Sequence, residues 1–234
     1  MPVTTKLIIG GVDKIPDFIS MDLGIGADIV ADVRLRWPIP DGAIDVAFSS
    51  HMIEHLTREE ALYAMAECHR VLRPGGIVRL STPDLALFAR KYVERDMDFY
   101  GQIDVAGRTR FPGESISDRF MFVCHGMGHK WIYDSESLCL LLREVGFTGV
   151  ESKGFRDSFI PHVELLDNRP DISLFVEGMK GPLSDGDASD RAYSRFALPR
   201  KSTVLIRSRF WVHVLKSRLG KSLRQLRAKV EAGE

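Results

Sequence analysis

Short apolar runs that stop at a glycine, a serine or an acid recur along the first third of the chain. They lie at 6–11, 18–23, 29–33, 44–49 and 77–81. Strands of a parallel sheet are buried on both faces and read as continuous apolar segments, whereas half-exposed strands alternate apolar and polar residues. The pattern therefore predicts an α/β fold with a doubly wound, mostly parallel sheet. Two later segments, 149–155 and 173–180, can each add a strand, and we expect one antiparallel strand at the edge.

Helices are expected where apolar residues no longer form a continuous run and instead recur every three or four residues. Thr57 and Glu60 have the spacing of a capping box, in which hydroxyl and carboxylate satisfy free backbone N–H groups at a helix start. A later helix begins at Asp134 or Ser135 and ends at Gly146.

Sheets of this kind bind ligands at the carboxyl ends of their strands. The residues that directly follow the predicted strands are Gly10, Gly11, Asp22, Asp32, Ser50 to His55, and Thr82 to Asp84. We therefore expect the functional site to be built from this set. The mixed segment 96–130 is long for a plain connection, and we predict that it forms a lid or an acceptor-binding insertion.

The formal net charge of zero is the sum of two unlike parts. Residues 200–229 hold ten basic residues and no acid, whereas residues 1–199 hold 22 basic and 30 acidic residues. The stretch 182–199 is rich in Gly, Pro, Ser and Asp, which is typical of a linker. We therefore divide the chain into a body at 1–181, that linker, and a basic tail at 200–234.

The tail carries an apolar stripe at helical spacing, which predicts an amphipathic helix. Its members are Trp211, Leu215, Leu219, Leu223, Leu226 and Val230. Two interpretations stay open: a peripheral helix on an anionic membrane surface, or a helix docked on the body, on a protein partner or in a homodimer. No nucleic-acid reader motif accompanies the stripe, so no specific nucleic-acid partner is expected.

Composition excludes several classes of protein. Balanced charge argues against a uniformly basic nucleic-acid binder, and 44% apolar content argues against wholesale disorder. Three cysteines are too few and too scattered for a disulfide framework or a zinc knuckle. The first residues lack the pattern of a signal peptide, and no run of eighteen apolar residues occurs. We expect a cytoplasmic protein, in peripheral contact with the inner face of the membrane if the tail binds lipid.

Five sequence pieces occur in an order that is familiar from one enzyme family. They are IIGG (8–11), FISMD (18–22), ADVRLRWPIPDGAIDVAFSSHMIEHL (31–56), HRVLRPGGIVRLSTPDL (69–85) and HKWIYDSESLCLLLREVGF (129–147). Over roughly residues 6–180 the chain resembles the type-11 group of class I S-adenosylmethionine-dependent methyltransferases. The resemblance implies a Rossmann-like sheet, an enzyme, and S-adenosylmethionine as the cofactor.

The resemblance also implies a cofactor site. Gly10 and Gly11 would approach the methionine portion, and Ser50 and His51 would also contact the cofactor. Asp22 would accept hydrogen bonds from the ribose hydroxyls, unless it is a solvated strand-end acid.

Two further positions would meet the adenine in this family. They are Asp32 and Val33, although Asp32 can equally be a turn or cap acid. In the family's first turn, glycine usually stands at the first and third positions, whereas this chain reads Gly10-Gly11-Val12. Val12 is β-branched and disfavours the positive φ that glycine permits.

Three residues are candidates for catalysis. His51 is a candidate general base, because imidazole titrates near neutral pH. Asp84 would orient an acceptor hydroxyl, or cap a helix beginning at Leu85. His129 would close over the acceptor, or is an ordinary loop histidine.

The pattern His51-x-x-Glu54-His55 has three interpretations. These are metal ligands on one helical face, a general base, or structural hydrogen bonds at the loop. From the sequence we assign no metal.

Together these features predict a methyltransferase that methylates oxygen in a saccharide or small metabolite, in surface-polysaccharide biosynthesis. Its partner would be a small-molecule or glycan acceptor. A non-catalytic scaffold in an assembly complex is one alternative, because of Val12. A transferase that uses a nucleotide sugar in the same crevice is another, since fold does not fix chemistry.

Overall fold

One sheet organises the computed structural model, which describes residues 4–11, 15–104, 106–182 and 205–206. Its strands in the described ranges are β1 Lys6–Ile9, β2 Phe18–Asp22, β3 Ile29–Val30, β4 Ile44–Ser50, β5 Leu72–Pro83, β6 Phe147–Lys153, β7 Ser173–Lys180 and β8 Leu205–Ile206. The α-helices there are α1 Arg58–Val71, α2 Leu85–Val93, α3 Met97–Tyr100, α4 Ile116–His125 and α5 Ser135–Val145. Single 3₁₀ turns lie at Ile53–His55, Gly126–Gly128 and Val163–Leu165.

The strand order is β6-β7-β5-β4-β1-β2-β3-β8. The five neighbouring strands from β5 to β3 are mutually parallel. Strand β7 is antiparallel to both β5 and β6, and β8 is antiparallel to β3 at the other edge. The predicted mostly parallel, Rossmann-like sheet is therefore confirmed. Of its antiparallel strands, β8 lies at an edge and β7 lies one place in.

Helices α1 and α5 cover one face of the sheet. Their apolar residues share one core cluster with alternate residues of the strands, such as Leu7 and Ile9 of β1 and Val78 and Leu80 of β5. Both helix starts are as predicted. The Thr57 hydroxyl accepts a hydrogen bond from the Glu60 N–H in a complete capping box, and Asp134 caps α5.

A charged side chain is buried on the opposite face of the sheet, beside an apolar cluster formed by Val46, Phe48, Ile160 and Leu166. Arg79 of β5 is fully buried and pairs with Asp167 at 2.5 Å and with Glu177 of β7 at 2.8 Å. Its guanidinium also donates to the carbonyls of Gly154 and Asp157. A buried guanidinium must satisfy its donors. These bonds therefore hold the irregular segment 154–167 against the sheet.

An aromatic cluster stands at the carboxyl edge of the parallel strands. It joins α2, α3 and α4 through Phe88, Phe99, Tyr100, Phe111 and Val123. The Tyr100 hydroxyl donates to the Phe88 carbonyl at 2.7 Å, so the one polar group of the cluster is satisfied. Much of the predicted insertion 96–130 is thus packed on its own core.

The connections on the β1–β2–β3 side are short. Residues 10–17 join β1 to β2, and residues 23–28 join β2 to β3; the described residues in both segments are non-helical. Val12 lies outside the described residues, as do 183–204 and 207–234. The predicted linker and the stripe of the predicted tail helix therefore fall there. The two described tail residues form β8. In the described part of the chain, every helix is too short or too polar to cross a bilayer.

We expect Arg79→Ala to lower the free energy of unfolding by about 3–5 kcal/mol, because it leaves two buried carboxylates unpaired. Urea denaturation followed by circular dichroism measures this loss. The matched control is Arg58→Ala, which breaks the half-exposed pair between Arg58 and Glu144. That pair is expected to contribute no more than about 1 kcal/mol. Equal losses in the two variants would contradict a pinning role for Arg79.

Candidate functional site

A cavity of about 1080 Å³ opens at the carboxyl edge of the sheet, between the ends of β1 and β4. From β1 the chain continues to β2 and β3 on one side, while β4 leads to β5 on the other. Such a reversal of strand order leaves a crevice that neither connection covers. Its sheet-side wall is formed by Gly10, Gly11, Ser50 and His51.

Gly10 is required by the geometry of this wall. Its φ is +75°, and a Cβ there would lie 2.2 Å from the Cγ of Met52. The Gly10 N–H donates to the Met21 carbonyl at 2.8 Å, which fixes the turn against the end of β2. A side chain is thus excluded both by backbone conformation and by space. The sequence prediction of a glycine turn at the cavity agrees with this placement.

His51 is held from both sides of its ring. Its Nε2 lies 2.8 Å from the Ser173 hydroxyl, and its Nδ1 lies 3.3 Å from Oε1 of Glu54. The backbone φ of His51 is +49°, and only Ile53–His55 is helical. The common helical face expected for residues 51, 54 and 55 is therefore not formed. The contacts position His51 in the cavity wall.

Glu54 is a buried carboxylate with one unsatisfied oxygen. Its side chain is 1% exposed; Oε2 accepts from the Thr82 hydroxyl at 3.1 Å, while Oε1 has no hydrogen-bond partner in the described structure. Its backbone carbonyl accepts from the N–H groups of Lys130 and Trp131. This backbone bridge brings the segment after α4 to the end of β4.

His129 arrives beside His55 through that bridge. The two rings are 4.9 Å apart in an edge-to-face arrangement. Nδ1 of His129 lies 2.6 Å from the Val123 carbonyl. A carbonyl oxygen only accepts hydrogen bonds, so Nδ1 carries the proton. In the neutral ring, the lone pair on Nε2 is therefore not used by this hydrogen bond.

The ligand-type atoms of Glu54, His55 and His129 all lie within 4.8 Å of one another. All three residues line the cavity. In the sequence, Glu54 and His55 form a motif with His51, whereas His129 belongs to a distant segment. The sequence signal for this grouping is limited to the presence of histidines in both segments.

Four predicted site residues lie outside the described cavity lining. These are Asp22, Asp32, Val33 and Asp84. Asp22 is half-buried at the end of β2, where Oδ1 accepts from the Gly24 N–H at 2.6 Å. Asp84 takes the structural one of its two predicted roles: it caps α2 by accepting from the Ala86 N–H at 3.0 Å.

The carboxylate of Asp32 is paired with the side chain of Arg34. Both carboxylate oxygens accept from the Arg34 guanidinium, and that hydrogen bonding lowers the pKa of the Asp32 carboxyl below its ordinary value. The carbonyl of Val33 accepts from the indole N–H of Trp37, which is buried in the core. Both residues therefore have local structural tasks at the end of β3.

The lining away from the sheet combines aromatic and apolar side chains with polar and cationic ones. It includes Arg108, Arg110, Asn168 and Arg169. Arg108 is paired with Asp104, and Arg110 with Asp171. Sequence analysis missed Asn168 and Ser173, because polar residues after the last helix carry no periodic or motif signal.

Residues 11–80 match the family model described as a methyltransferase domain, of type 11. Over this stretch the chain is similar to type-11 methyltransferase domains. The predicted resemblance to class I enzymes of this group is thereby confirmed. The matched region runs from the β1 turn through β4 and α1 into β5.

A probable S-adenosylmethionine-dependent methyltransferase of Mycolicibacterium smegmatis is 36% identical over 94 residues. The alignment covers 34% of this chain and spans about a third, 36%, of the length of that relative. Likeness to known methyltransferase sequence is thus concentrated in one part of each protein.

Two solved structures are also similar. One is a SAM-dependent methyltransferase from Archaeoglobus fulgidus, with a TM-score of 0.47 and 13% identity over 76% of this chain and 86% of that one. The other is phosphoethanolamine N-methyltransferase 2 of Haemonchus contortus in complex with phosphomonomethylethanolamine and S-adenosylhomocysteine. Its TM-score is 0.47, with 11% identity over 78% of this chain and 50% of that one.

We expect Arg34→Ala to raise the pKa of the Asp32 carboxyl toward 3.8, since its main hydrogen-bond donor is lost. Carbon-detected NMR titration of the carboxyl measures this directly. A lowered folded-state pKa stabilises the fold above the unfolded value, and that stability is lost as pH falls through the folded pKa. The variant should therefore lose less stability than the wild type on acidification below about pH 4. Arg36→Ala, which leaves Asp32 bonded to Arg34, should titrate like the wild type.

Proposed function

We propose that this protein is an S-adenosylmethionine-dependent methyltransferase. The cofactor would bind at the sheet-side wall of the cavity, and the acceptor would bind between that wall and the segment 104–129. The observation that carries the proposal is the turn at Gly10. It places bare backbone at the crevice of a parallel sheet, within a domain that matches a methyltransferase family.

The cofactor contacts follow from the ends of β1, β2 and β3. The turn at Gly10 and Gly11 gives the methionine portion close access to backbone groups. Asp22 has one oxygen bonded to Gly24, and we assign its other oxygen to a ribose hydroxyl. Because Arg34 occupies the Asp32 carboxylate, we assign the adenine contact to the backbone at Asp32 and Val33.

Methyl transfer is an in-line displacement at an activated carbon. The acceptor oxygen forms a bond to the methyl carbon, the carbon–sulfur bond breaks, and its electron pair stays on sulfur as the sulfonium becomes a thioether. The hydroxyl proton must leave. The protein therefore has to align the two reactants and offer a proton acceptor.

Among the predicted catalytic residues, His129 is placed best to take that proton. Its Nε2 lone pair is left over after Nδ1 donates to the Val123 carbonyl, and the residue lines the cavity. His51 has contacts at both ring nitrogens and acts as a positioning residue. Asp84 caps α2.

We propose a hydroxyl-rich acceptor, such as a saccharide or a small polar metabolite. The acceptor side of the cavity combines aromatic rings of Phe88, Phe111 and Phe122 with polar groups of Thr109 and Asn168. Aromatic faces beside hydrogen-bonding groups suit a ring that has apolar faces and polar edges. A role in surface-polysaccharide biosynthesis, with the tail on an anionic membrane, is the matching biological setting that we propose. A cytoplasmic location and a homodimer formed through the tail belong to the same proposal.

Calorimetric titration with S-adenosylmethionine and S-adenosylhomocysteine tests the cofactor. We expect micromolar binding, weakened roughly tenfold to a hundredfold in Asp22→Ala through the loss of hydrogen bonds to a charged group. Asp32→Ala is the matched control, since its carboxylate is held by Arg34, and should change the affinity by less than about threefold. If the folded wild type binds neither compound, the scaffold and the nucleotide-sugar transferase become the better explanations.

His129→Asn tests the proton acceptor. The Asn amide can still donate to the Val123 carbonyl, but the free imidazole lone pair is gone. We expect the rate of S-adenosylhomocysteine formation to fall roughly 100-fold or more, with cofactor affinity unchanged. The acceptor for this assay comes from a screen of saccharides and hydroxylated metabolites.

The matched control is His162→Asn, at an exposed position whose φ of +65° asparagine tolerates. It should keep the wild-type rate. A wild-type rate in His129→Asn would remove His129 from the mechanism.

A further inference from the structure

Three ligand-type side chains from distant parts of the chain meet at one point of the cavity wall. Glu54 and His55 follow β4, and His129 follows α4. Their nearest ligand-type atoms lie within 4.8 Å of one another. The backbone bonds from Lys130 and Trp131 to the Glu54 carbonyl hold the two segments together. The grouping is therefore built by main-chain hydrogen bonds rather than by chance contact of long side chains.

The lone pairs at this point are largely unused. Oε1 of Glu54 is buried and makes no hydrogen bond in the described structure; Nδ1 of His51 lies 3.3 Å from it. The ring nitrogens of His55 make no hydrogen bond within the described residues, and Nε2 of His129 is left over by the bond to Val123. A buried carboxylate oxygen that lacks a donor is costly and calls for an explanation.

The groups behind the three residues fix their orientation. The Thr82 hydroxyl donates to Oε2 of Glu54, and Nδ1 of His129 donates to a backbone carbonyl. Metal-binding histidines typically donate their second ring N–H to a carbonyl or carboxylate in this way, and metal-binding carboxylates are hydrogen-bonded in turn.

We infer that Glu54, His55 and His129 bind a divalent transition-metal ion of the Zn²⁺ type. Two imidazoles and one carboxylate suit such ions, whereas Mg²⁺ and Ca²⁺ prefer sites made of oxygen. Bonds of about 2.0–2.1 Å would bring the ligand atoms to roughly 3.3 Å apart, so the cluster must contract on binding. Three protein ligands leave at least one coordination position open toward the cavity.

A catalytic role for the bound ion rests on the proposed function, whereas the binding of the ion does not. An acceptor hydroxyl that donates a lone pair to the ion becomes more acidic and loses its proton to water more readily. The oxygen then attacks the methyl carbon, and the carbon–sulfur electron pair stays on sulfur. His129 would hold the ion in this form of the enzyme, instead of taking the proton itself.

Cobalt titration of the untagged, chelator-treated full-length protein tests the inference. Co²⁺ should bind with one-to-one stoichiometry and give visible absorption bands of a nitrogen–oxygen site, and Zn²⁺ should displace it. We expect His55→Asn, His129→Asn and Glu54→Gln each to weaken Co²⁺ binding at least tenfold, the loss expected for a ligand or its support. His162→Asn, the same exchange at an exposed histidine, should bind like the wild type.

Equal Co²⁺ binding by the wild type, His55→Asn and His129→Asn would overturn the inference, and so would no binding by the wild type. His55 is only half-buried, so its variant should fold even if Glu54→Gln does not. Cobalt binding without cofactor binding in the calorimeter would refute the proposed function and leave the metal site standing. The reverse result would refute the metal site alone.

Discussion

The parallel pairing of β1 with β4 is the constraint on which the site depends. Residues 6–9 of β1 lie beside residues 46–49 of β4, so the two strands end at the same level. Their connections then leave in opposite directions, toward β2 and toward β5. The crevice between the strand ends is therefore a product of topology. The residues that follow β1 and end β4 therefore lie at the crevice, and Gly10, Gly11, Ser50, His51, Glu54 and His55 line it.

Buried charge is used in two different ways around that crevice. Arg79 has carboxylate and carbonyl partners for its guanidinium, and they pin the segment that continues into Leu165 and Leu166 of the cavity wall. Glu54 is buried as deeply, yet one of its oxygens lacks a hydrogen bond in the described structure. A satisfied charge contributes to the architecture, whereas an unsatisfied one at a cavity indicates a place where a cation or ligand fits.

The short connection from β1 to β2 also shapes the site. Eight residues, 10–17, join two adjacent parallel strands, and the described ones form no helix. The turn must reverse immediately after Ile9, which accounts for the positive φ of Gly10 and its contact with the end of β2. In the proposed function, cofactor recognition on this side therefore uses backbone at the turn and Asp22.

Local sequence patterns were enough to predict the approximate positions of most strands, the helix caps and the glycine turn. Apolar runs, the Thr57–Glu60 capping box and the stop at Gly146 depend only on neighbouring residues, so they can be read locally. Which polar residues meet depends instead on the fold. The fold brings His129 to Glu54 and His55, which lie some 75 residues earlier in the chain. It also pairs the Asp32 carboxylate with Arg34. Such groupings depend on how distant segments close on one another, and no local periodicity records that closure.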